Sequence, residues 1–288
     1  MISRREFFLA SACALPMLLQ GATRRFEGLP AALAQLERRN GGRLGVSVLD
    51  TATAEHAGYR AEERFAMCST FKFLLAAAVL QRVDRDQENP QRLLQIPSAP
   101  LIAHSPLSAP HAGGAMSVAL LCQAILIQSD NTAANLLLAS IGGPAGLTDF
   151  ARSLGDTVTR LDRWELELNE ALAGNVRDTT SPDAMMSDLK TILLGEVLSS
   201  DSRHQLTEWM VANQTGLERL RAHLPPAWRV ADKTGNNSEH TSNDIAVIWP
   251  TGKPPLLVCA YITQCPGPDA KRASMLATVG ELVRRCIQ

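Results

Sequence analysis

Ser69-Thr70-Phe71-Lys72-Phe73-Leu74-Leu75-Ala76-Ala77-Ala78-Val79-Leu80 is the stretch on which the reading of this chain turns. After its first two residues it holds only helix formers and apolar side chains, which predicts a buried helix. Residues three apart share a helix face, so the Lys72 amine reaches the Ser69 hydroxyl. A serine at a helix N-terminus also sits among free backbone N–H groups and the positive end of the helix dipole. That setting favours negative charge, as a nucleophile forming a tetrahedral oxyanion requires. Ser-x-x-Lys alone is weak, because it turns up about once by chance in a chain of this length.

Two further strings remove the ambiguity. Ser129-Asp130-Asn131 joins a predicted helix over 118–127 to another over 132–139, where a short connection presents side chains into a cleft. Ser129 suits proton relay to a leaving amine, Asn131 suits an amide contact, and Asp130 suits a helix N-cap. Lys233-Thr234-Gly235 ends a predicted strand. Lys233 with the Thr234 hydroxyl suits a carboxylate, Gly235 permits close approach to the backbone, and the Asn236 N–H supplies a second oxyanion donor. In this order the strings describe a serine acyl-transfer site that recognises a peptide-like amide bearing a carboxylate.

Bulk properties exclude several other classes. With 288 residues, 45% apolar, 20% charged and a net charge of −1, the chain describes an ordinary globular protein without a basic surface for nucleic acid or membrane. Arg4-Arg5 before the apolar run from Phe7 to Leu19 has the pattern of a twin-arginine export signal, expected over residues 1–22. The run is too short to span a bilayer, and Cys13 lacks the context of a lipoprotein site. Removing the leader takes two arginines and one glutamate from 28 basic and 29 acidic residues, leaving −2. A protein exported by that machinery folds first and works in the periplasm. Cys68, Cys122, Cys259, Cys265 and Cys286 remain, an odd and irregularly spaced set that suits buried free thiols rather than a zinc site. Neither metal nor cofactor is expected.

Strand patterns lie at both ends of the chain and helical ones between them. A helix is predicted over 26–40, strands over 43–49 and 55–59, and mostly helix over 69–213, with Ser117 and Ser181-Pro182 as helix starts. Strands follow over 229–233, 244–249 and 256–262, then a helix over 269–285. The fold class is therefore α/β of the α+β type, an antiparallel sheet built from both chain ends and flanked by helices, with an all-helical domain inserted. The expected division is a sheet domain from 23–66 and 214–288, and a helical domain over 67–213 carrying a loop at 163–178.

That loop opens with Arg163-Trp164-Glu165-Leu166-Glu167-Leu168-Asn169 and runs to Asp178. Here the chain closely resembles the class A serine β-lactamases, whose loop carries Arg-x-Glu-x-x-x-Asn, and the resemblance extends over nearly the whole mature chain. It implies the β-lactamase/penicillin-binding transpeptidase-like fold and a two-step acyl transfer on penicillins and cephalosporins, performed by a monomer. By the resemblance Ser69 opens the lactam and Glu165 activates the water that hydrolyses the ester. Asn169 holds that water, and Arg163 with Asp178 closes the loop. Whether Lys72 or Glu165 takes the proton in acylation stays open.

Several positions depart from the family pattern. Leu166 stands where the family often has a proline joined by a cis bond; the bond is expected to remain cis, because Glu165 must still aim at the ester. Cys68 precedes the nucleophile as in carbapenem-hydrolysing members, but Asn237 occupies its partner's place, and Ala76 occupies the place of the partner to Cys122. Both family bridges are therefore expected to be absent. His104 sits where the family places an aromatic gate. Arg219 matches a carboxylate-binding arginine of some carbapenem-hydrolysing members, and Ser242 lies where others carry that arginine. Asn236 replaces the usual Thr or Ser, which bears on oxyimino-cephalosporins and carbapenems. A D,D-peptidase shares the three motifs without needing the Glu165 and Asn169 loop, and a β-lactam-sensing domain would acylate and then stall.

Overall fold

The structure is a computed structural model and describes residues 25–288. The export signal expected at 1–22 lies outside the described residues. Helix α1 (Leu29–Asn40) leads into strands β1 (Arg43–Asp50), β2 (His56–Tyr59) and β3 (Phe65–Ala66). Helix α2 (Phe71–Asp84) is followed by β4 (Leu93–Gln95), β5 (Ala115–Ser117), α3 (Val118–Ile127), α4 (Asn131–Ser140) and α5 (Gly143–Ser153). Then come β6 (Thr179–Thr180), α6 (Pro182–Leu193), α7 (Ser200–Val211), β7 (Arg229–Asn236), β8 (Ser242–Trp249), β9 (Leu256–Thr263) and α8 (Asp269–Ile287).

The main sheet runs β2-β1-β9-β8-β7, antiparallel throughout. The two chain ends meet where β1 pairs with β9, Val46 opposite Ala260. Strand alternation divides the side chains between two cores. Leu44, Val46 and Val48 face α1 and α8, packing with Leu33, Leu276 and Val279. Ala231, Ile245, Val247, Leu257 and Tyr261 face the helical layer. At its centre, every residue of α2 from Phe71 to Leu80 is buried, as a helix apolar on all sides must be.

Local chemistry sets the element ends. Ser117 accepts from Leu120 N and Ser181 from Ala184 N, capping α3 and α6. The first helix starts at Leu29 rather than at 26, with Pro30 in its first turn; Phe26 is buried in the turn before it. Strands β7 and β8 extend three and two residues beyond the alternation that predicts them, because Thr234–Asn236 pair with Asp244–Ser242. The pairs β3–β6 and β4–β5 are too short to leave a periodic signal.

Candidate active site

Ser69 lies in a single 3-10 turn, Cys68–Thr70, and α2 begins at Phe71, so the serine precedes the helix instead of opening it. The turn follows from Cys68, whose φ of +43° reverses the chain, and from Thr70 Oγ1, which donates to Met67 O at 2.9 Å. Asn243 on β8 donates to Ala66 O at 2.9 Å and to Met67 O at 3.0 Å, fastening the turn to the sheet. Gly235 is required there. A Cβ on it would stand 2.6 Å from Met67 O, so only glycine lets β7 approach the turn that carries Ser69 this closely.

Lys72, fully buried, is the hub of the site. Its Nζ donates to Ser69 Oγ at 3.0 Å, Ser129 O at 2.8 Å and Asn131 Oδ1 at 2.5 Å, and stands 2.9 Å from Glu165 Oε1. Burial pushes the Lys72 amine below the ordinary lysine range, against the opposing pull of Glu165. Lys233, also buried, donates to Ser129 Oγ at 3.1 Å and is held well below its ordinary value by burial, with Lys72 and Arg219 adding like-charge repulsion. Two amines thus flank one hydroxyl, Ser129, which lies 3.3 Å from Lys72 Nζ.

Asp130 caps α4 by accepting from Ala133 N at 2.9 Å, and its other oxygen takes the amides of Leu107 and Ser108. That carboxylate fixes the facing loop, where Asn131 Nδ2 donates to Ala103 O and His104 Nε2 donates to Gln128 O. Both polar ends of Asn131 are therefore engaged within the protein, while its side chain still lines the cavity.

On β7, Thr234 Oγ1 lies 2.5 Å from Thr215 Oγ1. From there a chain of hydrogen bonds runs through Asn213 to buried Asp232, which pairs with Arg221. Arg219 is 6% exposed, donates to Gly235 O at 3.0 Å and Asn243 O at 2.9 Å, bracing the end of β7, and its Nη2 stands 3.7 Å from Asp269 Oδ2. Strand β7 is the sheet's edge. Successive amides point to opposite sides, and since Asn237 N donates to Thr241 O across the hairpin, Asn236 N–H faces the open side.

The loop at 163–178 closes where Arg163 Nε donates to Asp178 Oδ2 at 2.7 Å and Asp178 Oδ1 accepts from Asp162 N and Arg163 N. Asn135 holds Glu165 by both backbone groups, each at 3.0 Å. The Glu165–Leu166 bond is cis, as expected. Asn169 Nδ2 donates to Glu165 Oε2 at 2.6 Å, Glu165 Oε1 has Lys72 Nζ 2.9 Å away, and Asn169 Oδ1 is buried without a hydrogen-bond partner.

These elements enclose a cavity of about 460 Å³, lined among others by Ser69, Ser129, Asn169, Thr234 and Asn236. His104, Asn131, Arg219 and Gly235 line it too, and buried Lys72, paired with Glu165, bonds to the lining residues Ser69, Ser129 and Asn131, so the catalytic and binding candidates converge on one place. Thr215, Asn213 and Asn135 carry no sequence motif; only the fold brings them in. All five cysteines among the described residues are free thiols, and no described group of His, Cys, Asp or Glu is arranged to hold a metal.

Comparison with known proteins agrees with this geometry. Residues 28–287 match the model of a family described as the beta-lactamase enzyme family. The chain is 45% identical to beta-lactamase L2 of Stenotrophomonas maltophilia over the full length of both proteins. It is 43% identical to beta-lactamase Toho-1 of Escherichia coli, covering 98% of this chain and 97% of that protein. Among solved structures, an ancestral Gram-negative class A beta-lactamase superposes with a TM-score of 0.87 at 56% identity, over 89% of this chain and 98% of that one. A beta-lactamase from Xanthomonas campestris gives a TM-score of 0.90 at 48% identity, over 92% and 99%.

Proposed function

The chain belongs to the class A β-lactamases and hydrolyses the amide of the β-lactam ring; from that premise we propose how its own residues divide the two steps. In the first, Ser69 Oγ attacks the lactam carbonyl and loses its proton into the cluster around Lys72, whose amine, lowered by burial, lies 3.0 Å away. The developing oxyanion is met by the Ser69 and Asn236 N–H groups. Ser129, flanked by Lys72 and Lys233, passes a proton to the departing nitrogen. Lys233, Thr234 and Arg219 provide the positive, hydrogen-bonding end for the substrate carboxylate.

The second step rests on one observation. Asn169 Oδ1 is a buried acceptor without a hydrogen-bond partner, and the Glu165 carboxylate bonded to that side chain has Lys72 Nζ 2.9 Å from its Oε1, which leaves Oε1 a lone pair for a water beside Ser69. A water donating to both is fixed in place, and Glu165 takes its proton as it attacks the ester. Arg163, Asp178 and Asn135 hold the loop so that this carboxylate cannot drift. This feature favours an enzyme that releases its ester over a peptidase or a sensor that retains it. We place the reaction in the periplasm, reached through the Arg4-Arg5 leader.

Mixing the purified protein with a chromogenic cephalosporin tests the proposal. Steady turnover far beyond one equivalent is expected, whereas a single stoichiometric burst would identify a peptidase or a sensor.

A further inference from the structure

The cavity has two walls that carry different halves of the chemistry. One is the end of β7 with the turn 237–241 that follows it, which presents Asn236, Asn237 and Ser238 to the cavity. The other is the loop 163–178, which carries Glu165 and Asn169. Among the described residues a single hydrogen bond joins them, His240 Nε2 to Ala171 O at 3.2 Å. A carbonyl only accepts, so the imidazole carries its proton on Nε2.

Both ends of this bond are anchored. On the turn, Asn237 Oδ1 accepts from the amides of Glu239, His240 and Thr241 at 3.0–3.1 Å. Fully buried Arg272 of α8 donates to Glu239 O at 2.9 Å and to Cys265 O and Gly267 O, pinning the turn from outside. On the loop, Ala171 is 8% exposed and packs with Ala66 and with Cys68, the residue before the nucleophile. Its φ of +49° is one that L-residues rarely adopt, and it holds this conformation beneath His240. The imidazole therefore ties a turn fixed to the sheet to the part of the loop that rests on the nucleophile's own turn. Asn169, which holds Glu165 Oε2, lies two residues before Ala171.

We propose that His240 is a positioning residue, a clasp that holds the Glu165 loop against the β7–β8 turn and so sets the aim of the deacylating carboxylate. The inference rests on the two-step reading above. Among the described residues His240 makes no hydrogen bond or ion pair with Ser69 or Glu165, so acylation proceeds without it, and deacylation slows when it is lost. Losing one hydrogen bond at a defined anchor corresponds to about a three- to ten-fold change.

The test compares the purified wild type with His240→Ala and His240→Gln, the latter keeping a side-chain N–H for Ala171 O. Stopped-flow acylation by a chromogenic cephalosporin should be within two-fold in all three. Deacylation should fall about three- to ten-fold in His240→Ala and recover in His240→Gln, and amide hydrogen exchange over 165–176 should rise and recover in parallel. Unchanged loop exchange in a folded His240→Ala protein overturns the clasp whatever turnover does. Failure of the glutamine to rescue also overturns it, since the bond would then not be the cause. A wild type that acylates once and stops refutes the two-step reading instead, and the exchange comparison still decides the clasp.

Discussion

Asp188 lies on α6, 1% exposed, with its Oδ2 lacking any hydrogen-bond partner. It faces Asp156, whose Oδ1 accepts the amides of Val158 and Thr159 and whose own Oδ2 is also without a partner. Burial above all, and the Asp156 carboxylate after it, push the Asp188 carboxyl from 3.8 up to about 9, with Arg152 opposing. Between those values the folded state binds a proton that the unfolded chain has released, so stability falls as pH rises across the window. From 3.8 to pH 7 is about three pH units, or about 4 kcal/mol at 1.36 kcal/mol per unit. Relaxation and water entry reduce the cost of buried charge in real interiors, which brings the expected effect to about 2 kcal/mol. Asp188→Asn supplies a neutral side chain of the same shape with N–H groups for Asp156. It should stabilise the protein by that amount at pH 7, raising Tm by about 4–8 °C. Urea unfolding at pH 5, 7 and 9 should show the gain growing with pH. A gain independent of pH, or a destabilised variant, would refute the reasoning.

Asp178→Asn should leave Arg163 with only the more exposed Glu170 as counter-charge and weaken the buried end of the loop closure, costing about 1–3 kcal/mol; limited proteolysis should cut first within 163–178, and turnover should fall with it. Gly216→Ala would place a Cβ 1.8 Å from Asp232 Oδ2, overpacking the chain that leads through Asn213 and Thr215 to Thr234. A stability loss of about 1–3 kcal/mol and a raised KM are expected, read by thermal melts and steady-state kinetics.

What was legible in the sequence is whatever depends on neighbours along the chain. Ser117, Asp130 and Ser181 cap helices because a short polar side chain reaches an amide three residues on. The Ser69–Lys72 contact is likewise set by local spacing, although the turn at Cys68 shifted the serine out of the helix proper. The meeting of Lys233 with Ser129, 104 residues away, has no signal in local spacing, because it depends on the fold setting β7 against the connection between α3 and α4. Asp188 and Arg272 resemble solvated helix residues in sequence, yet each is buried, because only tertiary packing decides which side of α6 or α8 is covered. Asn135, Asn213, Thr215 and His240 belong to no motif, and each acts by bonding to a residue distant in sequence.

The central claim is that Glu165 releases an ester formed on Ser69, and intact-protein mass spectrometry of Glu165→Gln tests it most directly. The amide keeps the shape of the loop but cannot accept the water's proton, so deacylation should slow by about 10²–10⁴-fold. Mixed with a cephalosporin, the variant should carry a covalent adduct on Ser69 that persists for minutes while the wild type returns to its free mass. A Glu165→Gln protein that turns over at the wild-type rate with no adduct would contradict the account.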